Sequence, residues 1–146
     1  MTLRLRFTTD LEAKARRTSE KAAAAIFQIL NARFQAALAA PVYEWNPGVN
    51  TTRSNGQTVG SPRNIVDTGL LRQSNTGPEI NGLRVRYRWN APYAVAVHEG
   101  AQLENGTVLP PRPWTAAVLG TEPVDGIEPI DRAQLKDIWL KAFRQS

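Results

Sequence analysis

The chain has 146 residues, one domain's worth, and its 42% hydrophobic and 21% charged residues exclude wholesale disorder. It contains no cysteine and a single histidine, His98, which excludes disulfides, thiolate metal sites, cysteine nucleophiles and a histidine-based zinc site. Lys and Arg number 18 against 13 Asp and Glu, for a net charge of +5 that is unevenly spread.

The opening residues alternate Leu3, Leu5 and Phe7 with Arg4 and Arg6, which predicts a short strand with one buried face. Arg4 and Arg6 stand where a signal peptide has its apolar run, and no stretch is expected to approach the ~18 apolar residues of a membrane span, so the expectation is a protein kept in the cytosol of its producer. Thr9 with Glu12 forms a capping box, and no Gly or Pro follows before Pro41, so a helix is predicted over Asp10–Ala39. Its second half is apolar over a wide arc, and its first half carries Lys14, Arg16, Arg17, Glu20 and Lys21. About 30 residues reach roughly 45 Å, longer than the ~38 Å diameter of a compact chain of this size, so one end should project, solvated or docked on a neighbour.

Residues 41–63 are rich in turn formers and read as a long loop, with Tyr43 and Trp45 anchoring it to a surface. Residues 65–74 predict a short helix capped by Asp67, with Gly69 in its first turn. After Gly77-Pro78, Leu83, Val85, Tyr87 and Trp89 alternate with Arg84, Arg86 and Arg88 as a second strand, its aromatic face directed to the core. Tyr93, Val95 and Val97 alternate with Ala94, Ala96 and His98, either a third strand or the start of a helix. Residues 99–113 form a second long loop with an Asn105-Gly106 turn signal and an Arg112 held between prolines. Trp114–Leu119 predicts a short helix stopped by Gly120, and Asp131 caps an amphipathic last helix running to Arg144.

The fold expected is α+β: one domain over 1–146, with a small, mainly antiparallel sheet packed by the long N-terminal helix and the C-terminal helix, and two long interaction loops. Leu5, Phe7, Ile26, Leu30, Phe34, Val85, Tyr87, Val95, Val97, Ile138 and Trp139 are the expected core.

Three groups of residues bear on chemistry. Asp67-Thr68-Gly69 has the lettering of a retroviral-type aspartic protease, but that chemistry needs two such aspartates sharing a proton, and a helix cap explains the same residues. His98-Glu99 lacks a nucleophile at a meaningful spacing and reads as a surface histidine at a strand end. Arg84, Arg86 and Arg88, joined by Arg4 and Arg6, give one sheet face up to five guanidinium groups that must meet water, carboxylates or phosphates. No phosphate-loop spacing and no helix-turn-helix pattern occurs. Residues 1–90 carry 13 basic and 6 acidic groups, a net of +7, and residues 91–146 carry 5 and 7, a net of −2, an asymmetry that suits attraction of nucleic acid and, equally, contact of one copy's basic part with another's acidic part; charge alone does not choose.

Between Trp45 and Leu119 the chain presents an ordered series: Val66-Asp67-Thr68-Gly69-Leu70-Leu71-Arg72-Gln73-Ser74, an Arg-rich strand, Pro92-Tyr93-Ala94-Val95-Ala96-Val97-His98-Glu99-Gly100, and Pro110-Pro111-Arg112-Pro113-Trp114. This series, about half the chain, resembles the tail-completion or neck proteins of long-tailed bacteriophages, small subunits that form a ring between head and tail. The resemblance implies a virion structural protein at the head-to-tail junction, made in the host cytoplasm. It implies a homo-oligomeric ring of six copies, contacts with a head-connector or adaptor ring and with tail-tube or tail-terminator proteins, and genomic DNA crossing the lumen. No catalytic group, cofactor, metal or membrane is implied. The alternative within the same setting is a tail terminator capping the tube; a DNA-binding protein and an aspartic protease are the rivals from other classes. Candidate subunit-interface residues are Arg16, Arg17, Tyr43, Trp45, Arg53, Arg63, Asp67, Arg84, Arg86, Arg88, His98, Glu99, Arg112 and Trp114. The two loops are expected to order only in the ring.

Overall fold

A computed structural model of the chain describes residues 1–6 and 13–144. Phe7, the Thr9–Glu12 capping box and the expected helix start at Asp10 lie outside the described residues. The long helix, α1, runs Ala13–Ala39. Its 27 residues span about 40 Å. Ala22, Ala23, Ile26, Phe27, Leu30, Phe34, Ala37 and Leu38 are buried, the three-and-four spacing of a single helical face. Arg16 and Arg17, one turn earlier, are exposed. By length and composition Ala15–Ala39 is apolar enough to cross a bilayer, which corrects the expectation that no stretch approaches a membrane span; Gln28, Asn31, Arg33 and Gln35 interrupt its apolar residues. Here its most apolar face lies in the protein core.

That core is completed by a three-stranded antiparallel sheet of β1 (Thr2–Arg6), β4 (Asn75–Asn81) and β5 (Arg84–Trp89), in the order β1-β5-β4. Leu3 pairs with Tyr87 and Leu5 with Val85, so these side chains share the face that meets α1. Val85, Tyr87 and Trp89 are buried, and Leu3 and Leu5 are half-buried against the same cluster. The Tyr87 hydroxyl donates to the Phe27 carbonyl oxygen of α1 at 2.7 Å. The β4 strand was not anticipated, because Gly77-Pro78 reads as a break. A register shift between Thr76 and Glu79 lets this edge strand carry the proline.

Both long loops contain short hairpins: β2 (Thr51–Thr52) pairs with β3 (Thr58–Val59), and β6 (Ala101–Gln102) with β7 (Val108–Leu109). Their turns are built alike. Arg53 N and Leu103 N donate to the carbonyls of Gln57 and Thr107, each at 2.8 Å, and the Asn55 and Asn105 side-chain oxygens accept from the amides two residues on, at 2.9 and 3.0 Å. These bonds form within one chain.

The remaining helices are α2 (Leu70–Gln73), α3 (Ala94–Glu99), α4 (Trp114–Leu119) and α5 (Arg132–Arg144). The segment with two open readings, Tyr93 to His98, is helical. Ala94 and Val97, three apart, are buried, which leaves the expected core residue Val95 at 47% exposure. Asp131 caps α5 as expected: its carboxylate accepts from Gln134 N at 2.7 Å while the Gln134 side chain accepts from Asp131 N at 3.2 Å. The α5 helix packs along α1, with Ile138 and Trp139 half-buried at the edge of the core.

Phe34 is fully buried, with its ring edge-on to Tyr87 at 5.1 Å and to Trp89 at 5.9 Å. Phe34→Ala is expected to lower unfolding free energy by about 3–5 kcal/mol in urea titrations. Ile29→Ala, at a 39%-exposed position on the same helix, is expected to stay within about 0.5 kcal/mol of wild type.

Candidate functional site

A cleft of about 420 Å³ opens where the 41–63 loop, the turn before α2, the start of α3 and the segment before α4 converge. It is bordered by Trp45, Arg53, Arg63, Asp67, Tyr93 and Arg112 over an apolar floor that includes Leu38, Ile65, Leu71 and Val97. Residues 67, 93 and 112 come from three separate strings of the series described above.

Arg63 enters the cleft through a bridge to Tyr43, whose amide and carbonyl exchange hydrogen bonds with it at 2.9 and 2.8 Å. Its own side chain is 5% exposed. Nε donates to the Gly60 carbonyl at 2.6 Å, Nη1 to Thr51 Oγ1 at 2.6 Å and Nη2 to the Val59 carbonyl at 2.8 Å, clasping both strands of the β2–β3 hairpin. Arg53 does similar work from the turn, donating to the Asn64 side-chain and carbonyl oxygens at 2.8 and 2.6 Å and to the Val66 carbonyl. These two interface candidates therefore direct their donors into their own chain.

Arg112 is different. It is 9% exposed, its amide is tied to the Val97 carbonyl at 3.0 Å, and its Nε is buried with no acceptor. Its guanidinium carbon lies 5.0 Å from the Trp45 ring centroid, and that of Arg63 lies 4.1 Å from the same ring. Burial, with the neighbouring Arg63 and Arg53 charges, pushes Arg112 down to about 10, which still leaves it a cation at neutral pH.

Asp67 does not cap α2, as had been expected. The residue before α2 is Gly69, in the left-handed region at φ +84, and no side chain caps the helix. The Asp67 carboxylate instead accepts from Ser54 N and Asn55 N, both at 3.2 Å, and its carbonyl accepts from the Asn55 side chain at 2.9 Å. The free amides of the β2–β3 turn lie within reach of this side chain and bind it in place of the helix amides.

Tyr43 and Trp114 are corrected as interface candidates. Tyr43 is 2% exposed and its hydroxyl donates to the Ala37 carbonyl at 2.7 Å, satisfying the last turn of α1. Trp114 is fully buried, its ring edge-on to Trp89 at 5.5 Å. Tyr93 is 41% exposed just before α3.

His98 is not at a strand end. It sits on α3, half-buried, with Nε2 2.8 Å from Thr115 Oγ1 and its ring 4.8 Å from that of Trp114. Burial holds its imidazole below the ordinary value of 6.5, against a smaller upward pull from Glu122 and Glu99. Glu99 is exposed. Among the described residues no group of three acidic or histidine side chains is placed to hold a metal ion.

The outer face of the sheet carries the arginine row. Arg4 pairs with Arg86 and Arg6 with Arg84, so with Arg88 five guanidinium side chains share one face. Arg86 forms an ion pair with Glu79 of β4, and its hydrogen bond holds that carboxyl below the usual range. Arg84 is exposed, whereas Arg88 is half-buried with an unpartnered Nε.

Because folding depresses the His98 imidazole, the unfolded chain takes up its proton first as pH falls. The stability held by the neutral ring is complete above the unfolded value of 6.5 and drains as pH falls through it toward the folded value. Lowering pH from about 7.5 to about 5.5 is expected to reduce the thermal midpoint more in wild type than in His98→Gln. Asp67→Ala is expected to speed hydrogen exchange at the Ser54 and Asn55 amides and to cost about 0.5–2 kcal/mol. Comparison with protein-family profiles, with curated proteins and with solved structures finds no match.

Proposed function

We propose that the protein is a structural subunit of the junction between head and tail in a long-tailed bacteriophage, working as a homo-oligomeric ring, with six copies as the resemblance implies. The supporting observation is the convergence of Asp67, Tyr93 and Arg112 on one cleft, three positions that belong to separate strings of the motif series. Each is placed by a rigid device: Asp67 by two hairpin amides, Tyr93 by the start of α3, and Arg112 by its flanking prolines and the Val97 carbonyl. Rigid presentation of chemically distinct edges suits a subunit that must meet neighbours in fixed geometry. The partners in this reading are further copies of the chain, a head-connector or adaptor ring, and the tail-tube or tail-terminator proteins. Genomic DNA crosses the lumen.

The rival uses of the same residues find less support. The Asp67 carboxylate is engaged by backbone amides on a loop instead of ending a core strand. In the arginine row Arg86 already has a carboxylate partner, as expected of a face that meets acidic groups or water.

Deleting the coding sequence from the producing phage is expected to yield filled heads and complete tails that do not join, with joining restored when the chain is supplied in trans. Electron microscopy of the lysate reads this directly. Overlong tails would assign the chain to tail termination, and particles of normal form and infectivity would end the proposal.

A further inference from the structure

Arg112 is the buried cation of the cleft whose hydrogen-bonding capacity the chain leaves unused; Arg72, also at the cleft, is exposed to water. Arg53 and Arg63 donate to loop oxygens, whereas among the described residues no hydrogen bond or ion pair reaches the Arg112 guanidinium, and its Nε is occluded without an acceptor. Asp67, at the same cleft, has both carboxylate oxygens on backbone amides. A buried guanidinium without a counter-charge is unfavourable, and its planar fork of donors matches a carboxylate or a phosphate. The cleft favours the carboxylate: its floor of Leu38, Ile65, Leu71 and Val97 offers apolar surface to the hydrocarbon stem of an acidic side chain, which a phosphate on a sugar lacks.

The same chain carries a matching segment. Residues 121–131, between α4 and α5, read Thr-Glu-Pro-Val-Asp-Gly-Ile-Glu-Pro-Ile-Asp. Glu122, Asp125 and Glu128 are exposed and, among the described residues, form no ion pair. Val124, Ile127 and Ile130 pack on the core, and Ile130 N donates to the Val118 carbonyl at 2.9 Å, so the carboxylates stand on an anchored strap. No ion pair joins this strap to Arg112 of its own subunit.

We infer that the Arg112 cleft is a carboxylate-binding site and that its occupant is the Glu122–Glu128 strap of a second copy of the chain. Because the cleft and the strap are different patches, the contact is heterologous and repeats from copy to copy until a ring closes. The occupant rests on the ring reading; the carboxylate chemistry of the cleft does not.

The test uses two complementary full-length chains. One, isotopically labelled, carries Glu122→Gln, Asp125→Asn and Glu128→Gln and keeps the cleft; the other, unlabelled, carries Arg112→Gln and keeps the strap. Only one contact can form between them. The expected result is a saturable shift of the Arg112 Nε–H resonance on adding the unlabelled chain. Acetate alone should shift it in the same direction at higher concentration, and an unlabelled chain bearing all four substitutions should bind roughly thirtyfold more weakly or not at all. Arg112→Lys replaces Arg112→Gln in the unlabelled chain should the latter fail to fold. No shift with either the chain or acetate overturns the site. A shift with acetate alone overturns the occupant, and a stronger response to inorganic phosphate than to acetate overturns the ligand class. Because this contact is read in solution, it can hold when the virion experiment fails, and the reverse.

Discussion

A continuous run of aromatic contacts holds the protein together. Tyr87 and Trp89 of β5 meet Phe34 of α1 edge-on, Trp89 meets Trp114 of α4, and Trp114 meets His98 of α3. Edge-to-face pairs bury large areas and fix relative orientation as well as distance. One column thus locks the sheet to three helices that are far apart in sequence. It also sets the cleft, because Arg112 lies two residues before Trp114 and the α3 carbonyl that receives its amide lies one residue before His98. Small shifts in ring packing would therefore move the cationic wall of the cleft.

The arginines divide by the fate of their donors. Arg53 and Arg63 replace the missing hydrophobic core of a small hairpin with hydrogen bonds to its carbonyls. Arg86 has an acidic neighbour across the strand, and Arg112 has none. Two guanidinium groups share the Trp45 ring, whose face offsets part of their mutual repulsion. The basic character of the first 90 residues is thus partly internal scaffolding and partly outward-facing charge.

The elements that were legible in the sequence are those set by local pattern. The apolar face of α1, the alternation in β1 and β5, and the Asp131 cap of α5 each follow from residue spacing, and each is seen. What escaped depends on partners distant in the chain. Asp67 has the composition of a helix cap, but the competing amides at Ser54 and Asn55 are visible only once the hairpin is in place. The β4 strand hides a proline within a register shift, which no alternation rule registers. Tyr43 in its loop and Trp114 at the start of its short helix look available to neighbours until the folded chain is seen to bury them. One missed signal was local: Asn55-Gly56 repeats the turn lettering of Asn105-Gly106, and both close hairpins of the same form. Within the site, Arg112 between its prolines was legible as a stiffly held cation, while its burial against Trp45 was not.

The pairing of β1 with β5 joins Thr2, near the start of the chain, to Arg88, past its middle. During synthesis the apolar face of α1 emerges well before β5, the strand that covers it. Between Phe34 and Trp89 the ribosome needs roughly 3–11 s at usual elongation rates, and through that interval the Ile26–Leu38 face has no sheet to lie on. The order of translation therefore leaves the apolar face of α1 without its sheet until β5 arrives.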